Sequence, residues 1–185
     1  PMNWYGRTKV LGERAIETFA DGAFPAHLYL KSNLYGEHEI GDRTVTKGTV
    51  INFFVDRVFA EEPITVYEPG TQARNYIHVK DVANAYVRSA ERLLEQLDRG
   101  ETGTWTYEIA SSEDPSVKEV GELVQSIAAE QGIETDVELV ENPRGNETLV
   151  SEFAVDTSKA KAELGWEPTH TVEETVRELL EKRSD

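Results

Sequence analysis

The sequence predicts an α/β fold, on three observations. Short apolar runs bounded by Gly or Pro alternate with longer stretches whose apolar residues recur at helical spacing. Two capping boxes, Ser116-Val117-Lys118-Glu119 and Thr171-Val172-Glu173-Glu174, mark helix starts. The 185 residues, 38% apolar and 29% charged, are too apolar for a disordered chain, enough for one domain and marginal for two.

The elements follow in order. Residues 5–21 read as a helix, with Val10, Ala15, Ile16 and Phe19 recurring at roughly helical spacing and Asp21-Gly22 as the stop. Ala26 to Leu30 is a short strand between Pro25 and the polar Ser32-Asn33. A Gly- and charge-rich loop is expected from Tyr35 to Gly48. Thr49 to Glu61 is a helix with Ile51, Phe54, Val55, Val58 and Phe59 inward. Ile64 to Tyr67 and Asn75 to Val79 are strands, and Asp81, a candidate cap, opens an amphipathic helix to Leu97. Trp105 to Ala110 is a strand. The first capping box opens a helix carrying Val120, Leu123, Val124 and Ile127. Val137 to Val140 is a strand, Thr157 or Ser158 opens a helix that Gly165 stops, and the second capping box opens the last helix. No internal repeat or low-complexity linker interrupts the series.

Charge and composition exclude several functions. The 35 acids against 19 bases give a formal charge of −16, which repels nucleic-acid phosphates and anionic lipid heads, so no nucleic-acid and no membrane partner is expected. No run approaches the length of a membrane span. The absence of Cys excludes disulfides and thiolate metal sites. His27, His38, His78 and His170 have no ligand spacing, so no metal is expected; His78, inside a strand, reads as a structural hydrogen-bonder. No Ser-His-Asp set can be argued. Pro1-Met2-Asn3-Trp4 lacks the basic and apolar regions of a secretory signal, and a cytoplasmic location is the expectation.

Three segments carry chemistry. In Tyr5-Gly6-Arg7-Thr8-Lys9, the i, i+4 spacing puts a phenol and an ammonium on one helix face. A cation beside a phenol favours the phenolate, which can take a proton from a sugar hydroxyl while hydride leaves the same carbon. By itself the pair also describes an ordinary amphipathic helix. In Gly70-Thr71-Gln72-Ala73-Arg74-Asn75-Tyr76-Ile77-His78-Val79-Lys80-Asp81, the Arg74 fork follows a turn and can hold a phosphate or form a surface ion pair. In Pro143-Arg144-Gly145-Asn146-Glu147, Arg144 and Glu147 sit in a loop, where a solvated pair is the plainer reading.

Taken together, the segments resemble the extended short-chain dehydrogenase/reductase family, and within it the NAD-dependent nucleotide-sugar epimerases and dehydratases. The pattern Tyr-x-x-x-Lys…Asn-x-Tyr-Gly…Val-Ile…Val-Tyr…Gly-x-Gln-x-Arg-Asn-Tyr-Ile-His-Val-x-Asp-Val-Ala…Asp-x-x-Lys-Ala…Leu-Gly-Trp-x-Pro runs in family order from Tyr5 to Pro168. The resemblance implies the C-terminal part of an extended Rossmann-type fold. Residues 1–33 and 78–112 would be a remnant of the NAD-binding domain, and 34–77 and 113–185 the nucleotide-sugar lobe. It implies Tyr5 as catalytic base or acid, with Lys9 holding the ribose hydroxyls of the cofactor NAD and favouring the Tyr5 phenolate. Asn33 would contact the substrate near its diphosphate. Val50, Thr65 and Tyr67 would line the base pocket, Arg74 and Arg144 would clamp the diphosphate, and Glu147 would contact the nucleotide ribose. The implied reaction is UDP-glucose/UDP-galactose 4-epimerization. The alternatives are a 4,6-dehydratase or a 4-keto-sugar reductase of the same family, or a non-catalytic nucleotide-sugar-binding module.

The chain departs from the pattern at several places. Leu30 and Lys31 stand where Arg and an aromatic are frequent beside the cofactor, Asn52 where Pro is common, and Asn75 where Asp is common. The glycine-rich dinucleotide fingerprint, and the Ser or Thr that precedes the catalytic Tyr, have no counterpart in these residues. The expectation is a chain that by itself neither binds NAD nor turns over substrate. It either dimerises through helix 5–21 and the neighbouring strands or is weakly ordered there.

The acids are spread along the chain rather than gathered in a tail, and Arg exceeds Lys, eleven to eight. That is the pattern of a salt-adapted protein. Molar salt shortens the Debye length to about 3 Å and screens the self-repulsion. The melting temperature is therefore expected to be higher in about 2 M than in about 0.1 M KCl. An equal or lower value at high salt refutes the salt adaptation.

Overall fold

The computed structural model describes residues 3–143, 150 and 152–184. The chain divides into two compact units, 1–30 with 83–109 and 156–167, and 31–82 with 110–155 and 168–185. The division moves 156–167, which the sequence boundaries had placed with the second unit, into the first.

The first unit holds helix α1 (Trp4–Ala20), strand β1 (Pro25–Lys31), most of helix α3 (Val79–Asp98), strand β7 (Gly103–Ile109) and helix α5 (Ser158–Leu164). β1 and β7 are neighbours in a two-stranded sheet, and α1 and α5 pack against β7. Asn3 caps α1 by accepting the Gly6 N–H at 2.8 Å. α5 joins this unit because the Tyr107 hydroxyl of β7 donates to Glu163 at 2.9 Å. Gly165, left-handed at φ 61°, ends α5 as expected.

The apolar face read on residues 5–21 is real but unburied. Leu11 and Phe19 are 69% and 67% exposed, and Ala20 alone of α1 is buried. A sheet of two strands offers α1 too little surface to cover that face. The inner face of α3 is more polar than its pattern predicts. Ser89 and Gln96 are buried while Leu94 and Leu97 are exposed. His27 of β1 is the reason: its Nδ1 pairs with Ser89 Oγ at 2.7 Å and its Nε2 with Gln96 Oε1 at 2.9 Å. Burial holds this imidazole below the ordinary histidine range.

The second unit contains strands β2 (Asn33–Tyr35), β3 (Glu37–Ile40), β4 (Arg43–Thr46), β5 (Ile64–Tyr67), β6 (Tyr76–His78) and β8 (Val137–Val140). Its helices are α2 (Val50–Phe59), α4 (Val117–Glu130) and α6 (Val172–Ser184). β2 pairs β6 and β5 pairs β8, both in parallel. The core joins Ile51, Phe54, Val55 and Val58 of α2 to Val120, Val124 and Ile127 of α4, and to Val176, Leu179 and Leu180 of α6. Those α2 and α4 residues are the ones their spacing turned inward, except that Phe59 and Leu123 are only partly buried. Both capping boxes form. Glu119 N–H donates to Ser116 Oγ at 3.2 Å and Ser116 N–H to Glu119 at 2.7 Å; Thr171 and Glu174 repeat the exchange. Gly70, left-handed at φ 73°, lies where a Cβ would come within 2.9 Å of Val66.

Two expectations need correction. The loop expected over 35–48 contains the antiparallel ribbon β3–β4, with Glu37 opposite Thr46 and Ile40 opposite Arg43. Its strands are four residues each and mostly exposed, so no apolar alternation announces them. Asp81 does not precede its helix but lies in the first turn of α3. Its buried carboxylate accepts from the Thr169 hydroxyl at 2.8 Å, the His170 N–H at 3.1 Å and His170 Nδ1 at 2.9 Å. Among the described residues no helix is long and apolar enough to cross a membrane.

His78 is 1% exposed, accepts the Lys80 N–H at its Nδ1 and stacks on the His170 ring at 4.3 Å. It is the structural hydrogen-bonder read from the sequence. Burial, with His170 second, pushes it down to about 4. The folded state therefore binds fewer protons than the unfolded chain, where histidine titrates near ~6.5. Stability is complete above that value and falls as the pH drops toward 4. Urea melts at about pH 7 and about pH 4.5 should differ by roughly 2 kcal/mol from this group. His78→Gln should remove that part of the dependence, and an unchanged slope in the variant assigns it elsewhere.

Candidate functional site

The residues singled out in the sequence fall in two places. Tyr5 and Lys9 lie one turn apart on α1, with the Lys9 ammonium 5.5 Å from the centre of the Tyr5 ring. Tyr5 is 71% exposed, so its phenol is open to a ligand. An accessible hydroxyl and an ammonium donor on one face are the groups that a ribose diol and a sugar hydroxyl require. The donor set thus fits a nicotinamide ribose.

The second place is a cavity of about 510 Å³ inside the second unit. Asn33, Val50, Thr65, Tyr67 and Arg74 all line it. Those five come from four separate elements or loops, and in sequence they span more than forty residues. The β2–β6 pairing brings Asn33 opposite Tyr76, and Asn33 donates both its backbone N–H and its Nδ2 to the Asn75 carbonyl, at 3.2 and 3.1 Å. Arg74 lies two residues before β6, and its backbone N–H is held by the Pro115 carbonyl at 3.2 Å. Asn75 shows why an amide suits this position. Its Nδ2 donates to the Ser111 and Glu113 carbonyls at 2.9 and 3.1 Å while its Oδ1 accepts the Ser111 N–H at 3.1 Å. A carboxylate could accept but not donate. Arg144 and Glu147, and with them the expected convergence of Arg144 on Arg74, lie outside the described residues.

The sequence reading missed Tyr76, Phe53 and Gln72, which also line the cavity. Tyr76 had a usable signal. Residues i and i+2 of an extended chain point to one side, so the partner of Arg74 across one residue is Tyr76. Its side chain is 1% exposed, and its hydroxyl has no hydrogen-bond partner among the described residues. Burial pushes the phenol up to about 12, with the Arg74 charge opposing, so it is a neutral donor at physiological pH. Phe53 is a half-open aromatic at the cavity wall, under the Arg57 guanidinium at 5.8 Å. Among the described residues the cavity therefore combines aromatic and aliphatic walls with one guanidinium, two amides, two phenols and two threonine hydroxyls. That set suits a ligand with a planar ring and a charged oxygen-rich group. Among the described residues no group of three or more metal-ligating side chains occurs.

This fold defines an α/β protein with a cavity in its second unit. Residues 1–110 match the NAD dependent epimerase/dehydratase family, and the chain belongs to that family. The UDP-glucose 4-epimerase of Bacillus subtilis is 28% identical over 185 residues, 93% of this chain and 51% of that protein. A dTDP-glucose 4,6-dehydratase of Xanthomonas campestris is 26% identical over 192 residues, 98% of this chain and 49% of that one. The crystal structure of the Thermotoga maritima UDP-glucose 4-epimerase, solved with UDP-glucose, superposes with a TM-score of 0.77 at 23% identity. It covers 100% of this chain and 55% of that one. That likeness is one of fold, the Rossmann-type α/β fold. The chain spans about half the length of the curated relatives it matches. The cofactor of the family is NAD.

A buried hydroxyl without a partner costs stability. Tyr76→Phe is therefore expected to leave the ligand-free protein as stable or up to about 1 kcal/mol more stable. Thermal and urea melts of the variant measure this. A clear loss of stability shows that the hydroxyl has a structural partner.

Proposed function

We propose that this chain carries the nucleotide-sugar site and the catalytic tyrosine of an NAD-dependent epimerase, with interconversion of UDP-glucose and UDP-galactose as the reaction. The observation that carries the reading is the cavity. Five residues chosen from sequence alone for contact with a nucleotide diphosphate line one pocket. The reading gives each a task. The pocket walls Val50, Thr65, Tyr67 and Phe53 take the base. Arg74 pairs with the diphosphate through its fork, the Tyr76 hydroxyl donates to an oxygen of the same ligand, and Asn33 faces the diphosphate end. Arg144 and Glu147 are proposed to complete the diphosphate and ribose contacts.

When bound, NAD supplies reversible hydride acceptance at the sugar carbon. Tyr5 removes the hydroxyl proton as that carbon is oxidised and returns it when the carbon is reduced. Lys9 donates to the ribose diol. Release of the keto-sugar from its first orientation, while Arg74 keeps hold of the diphosphate, allows reduction from the opposite face. A 4,6-dehydratase is the second reading, favoured by the Xanthomonas relative, and product analysis separates the two.

Two variants test the assignment. Arg74→Ala should weaken UDP binding by about 1.5–3 kcal/mol, the range for hydrogen bonds to a charged group, measured by calorimetric titration. In the complete enzyme Tyr5→Phe should keep UDP-glucose binding and lose roughly 10²–10⁴-fold in turnover. Unchanged affinity in the first removes the diphosphate site, and unchanged turnover in the second removes the base.

A further inference from the structure

We infer that Asn52 is a positioning residue: it latches the base of the β3–β4 ribbon and thereby sets the cavity wall formed by Gly48, Thr49 and Val50. This rests on the reading of the cavity as a nucleotide site.

The ribbon has little to hold itself. Its eight strand residues are all exposed or half-exposed, and an isolated two-stranded hairpin is marginal in water. Its fastening is at the base. Asn52, 2% exposed on α2, accepts the Gly36 N–H at 2.9 Å through Oδ1 and donates from Nδ2 to Thr46 Oγ1 at 3.1 Å. Gly36 precedes the first strand and Thr46 ends the second, so one amide closes both ends of the excursion. Gly36 lies close against the core at this point: it is left-handed at φ 82°, and a Cβ there would lie 2.0 Å from the buried His78 ring, so only glycine fits. Outside the base, Glu37 and Glu39 pair with Lys182 at 3.4 and 2.6 Å, and Glu37 with Arg183 at 3.1 Å. These contacts involve long side chains at the surface and are weak restraints.

The consequence for the cavity follows from chain length. Lys47 alone separates Thr46 from the wall residues Gly48, Thr49 and Val50. A single residue cannot absorb a displaced strand end, so the position of Thr46 becomes the position of the wall. Asn52 stands where the family pattern commonly has Pro, which has neither a side-chain donor nor a side-chain acceptor. The latch is thus a property of this chain.

The test uses this 185-residue chain, with UDP as the probe. Asn52→Ala removes the amide from both ends, including its Nδ2 contact with the Gly36 carbonyl at 3.4 Å; Thr46→Val loses the acceptor at the other end; Thr46→Ser retains it. Hydrogen exchange across residues 46–50 of the ligand-free chain should quicken about three- to tenfold in Thr46→Val, the size of one hydrogen bond, and at least as much in Asn52→Ala. The Kd for UDP should rise by a similar factor, and Thr46→Ser should behave as wild type in both. Unchanged exchange in the first two variants overturns the latch, whatever happens to UDP. Faster exchange with an unchanged Kd overturns its control of the wall. A wild-type chain that binds no UDP overturns the nucleotide reading of the cavity, and the exchange rates then decide the latch separately.

Discussion

The parallel pairing of β2 with β6 is the constraint on which the second unit depends. Three residue pairs define it: Asn33 with Tyr76, Leu34 with Ile77, and Tyr35 with His78. The first pair puts Asn33 at the cavity beside Arg74 and Tyr76. The third puts Tyr35 and Gly36 against the buried His78 ring, where the Tyr35 and His78 ring centres are 5.2 Å apart. A slip of one residue would turn every one of these side chains to the opposite face. The pairing therefore sets the ligand cavity and the histidine core together.

Around that pairing the unit is held by polar groups placed inside rather than by apolar packing alone. Asn75, Asn52, His78 and Asp81 are all buried, and each has its hydrogen-bond partners in place, some near in sequence and some far. Asn75 reaches Ser111 and Glu113; Asp81 reaches Thr169 and His170. Buried polar groups with their partners in place admit few alternative packings, because any shift leaves a donor or acceptor unpaired in a medium of low dielectric. Tyr76 stands apart from this group. Its hydroxyl is buried in the wall of the cavity with no hydrogen-bond partner among the described residues, as is the Gln72 Oε1 that shares that wall. The proposed nucleotide site would give that phenol the partner it lacks.

The first unit shows a different balance. Its polar cluster of His27, Ser89 and Gln96 is inside, while much of the apolar surface of α1 is outside. Tyr5 and Lys9 share that exposed helix. The accessibility that the proposed role asks of Tyr5 is the same accessibility that leaves Leu11 and Phe19 uncovered.

Local chemistry was legible from the sequence because it depends on near neighbours. Spacing turned Ile51, Val55, Val120 and Val124 inward, two Ser/Thr-x-x-Glu boxes started helices, and Gly165 stopped one. The Tyr5–Lys9 pair follows from the helical repeat. The ordered motifs carried the resemblance that brought Asn33, Val50, Thr65, Tyr67 and Arg74 forward. Long-range partners decided the rest. The β3–β4 ribbon has no apolar alternation, and its partners Asn52, Lys182 and Arg183 all lie outside it in sequence. Asp81 looked like a cap until Thr169 and His170, nearly ninety residues on, claimed its carboxylate. Tyr76 became a site residue only when its hydroxyl proved to be buried beside Arg74 without a hydrogen-bond partner among the described residues. Propensity and capping act within a few residues of the chain, so a sequence states them directly. Burial and the pairing of polar groups depend on what the fold brings near, and only the tertiary structure specifies that.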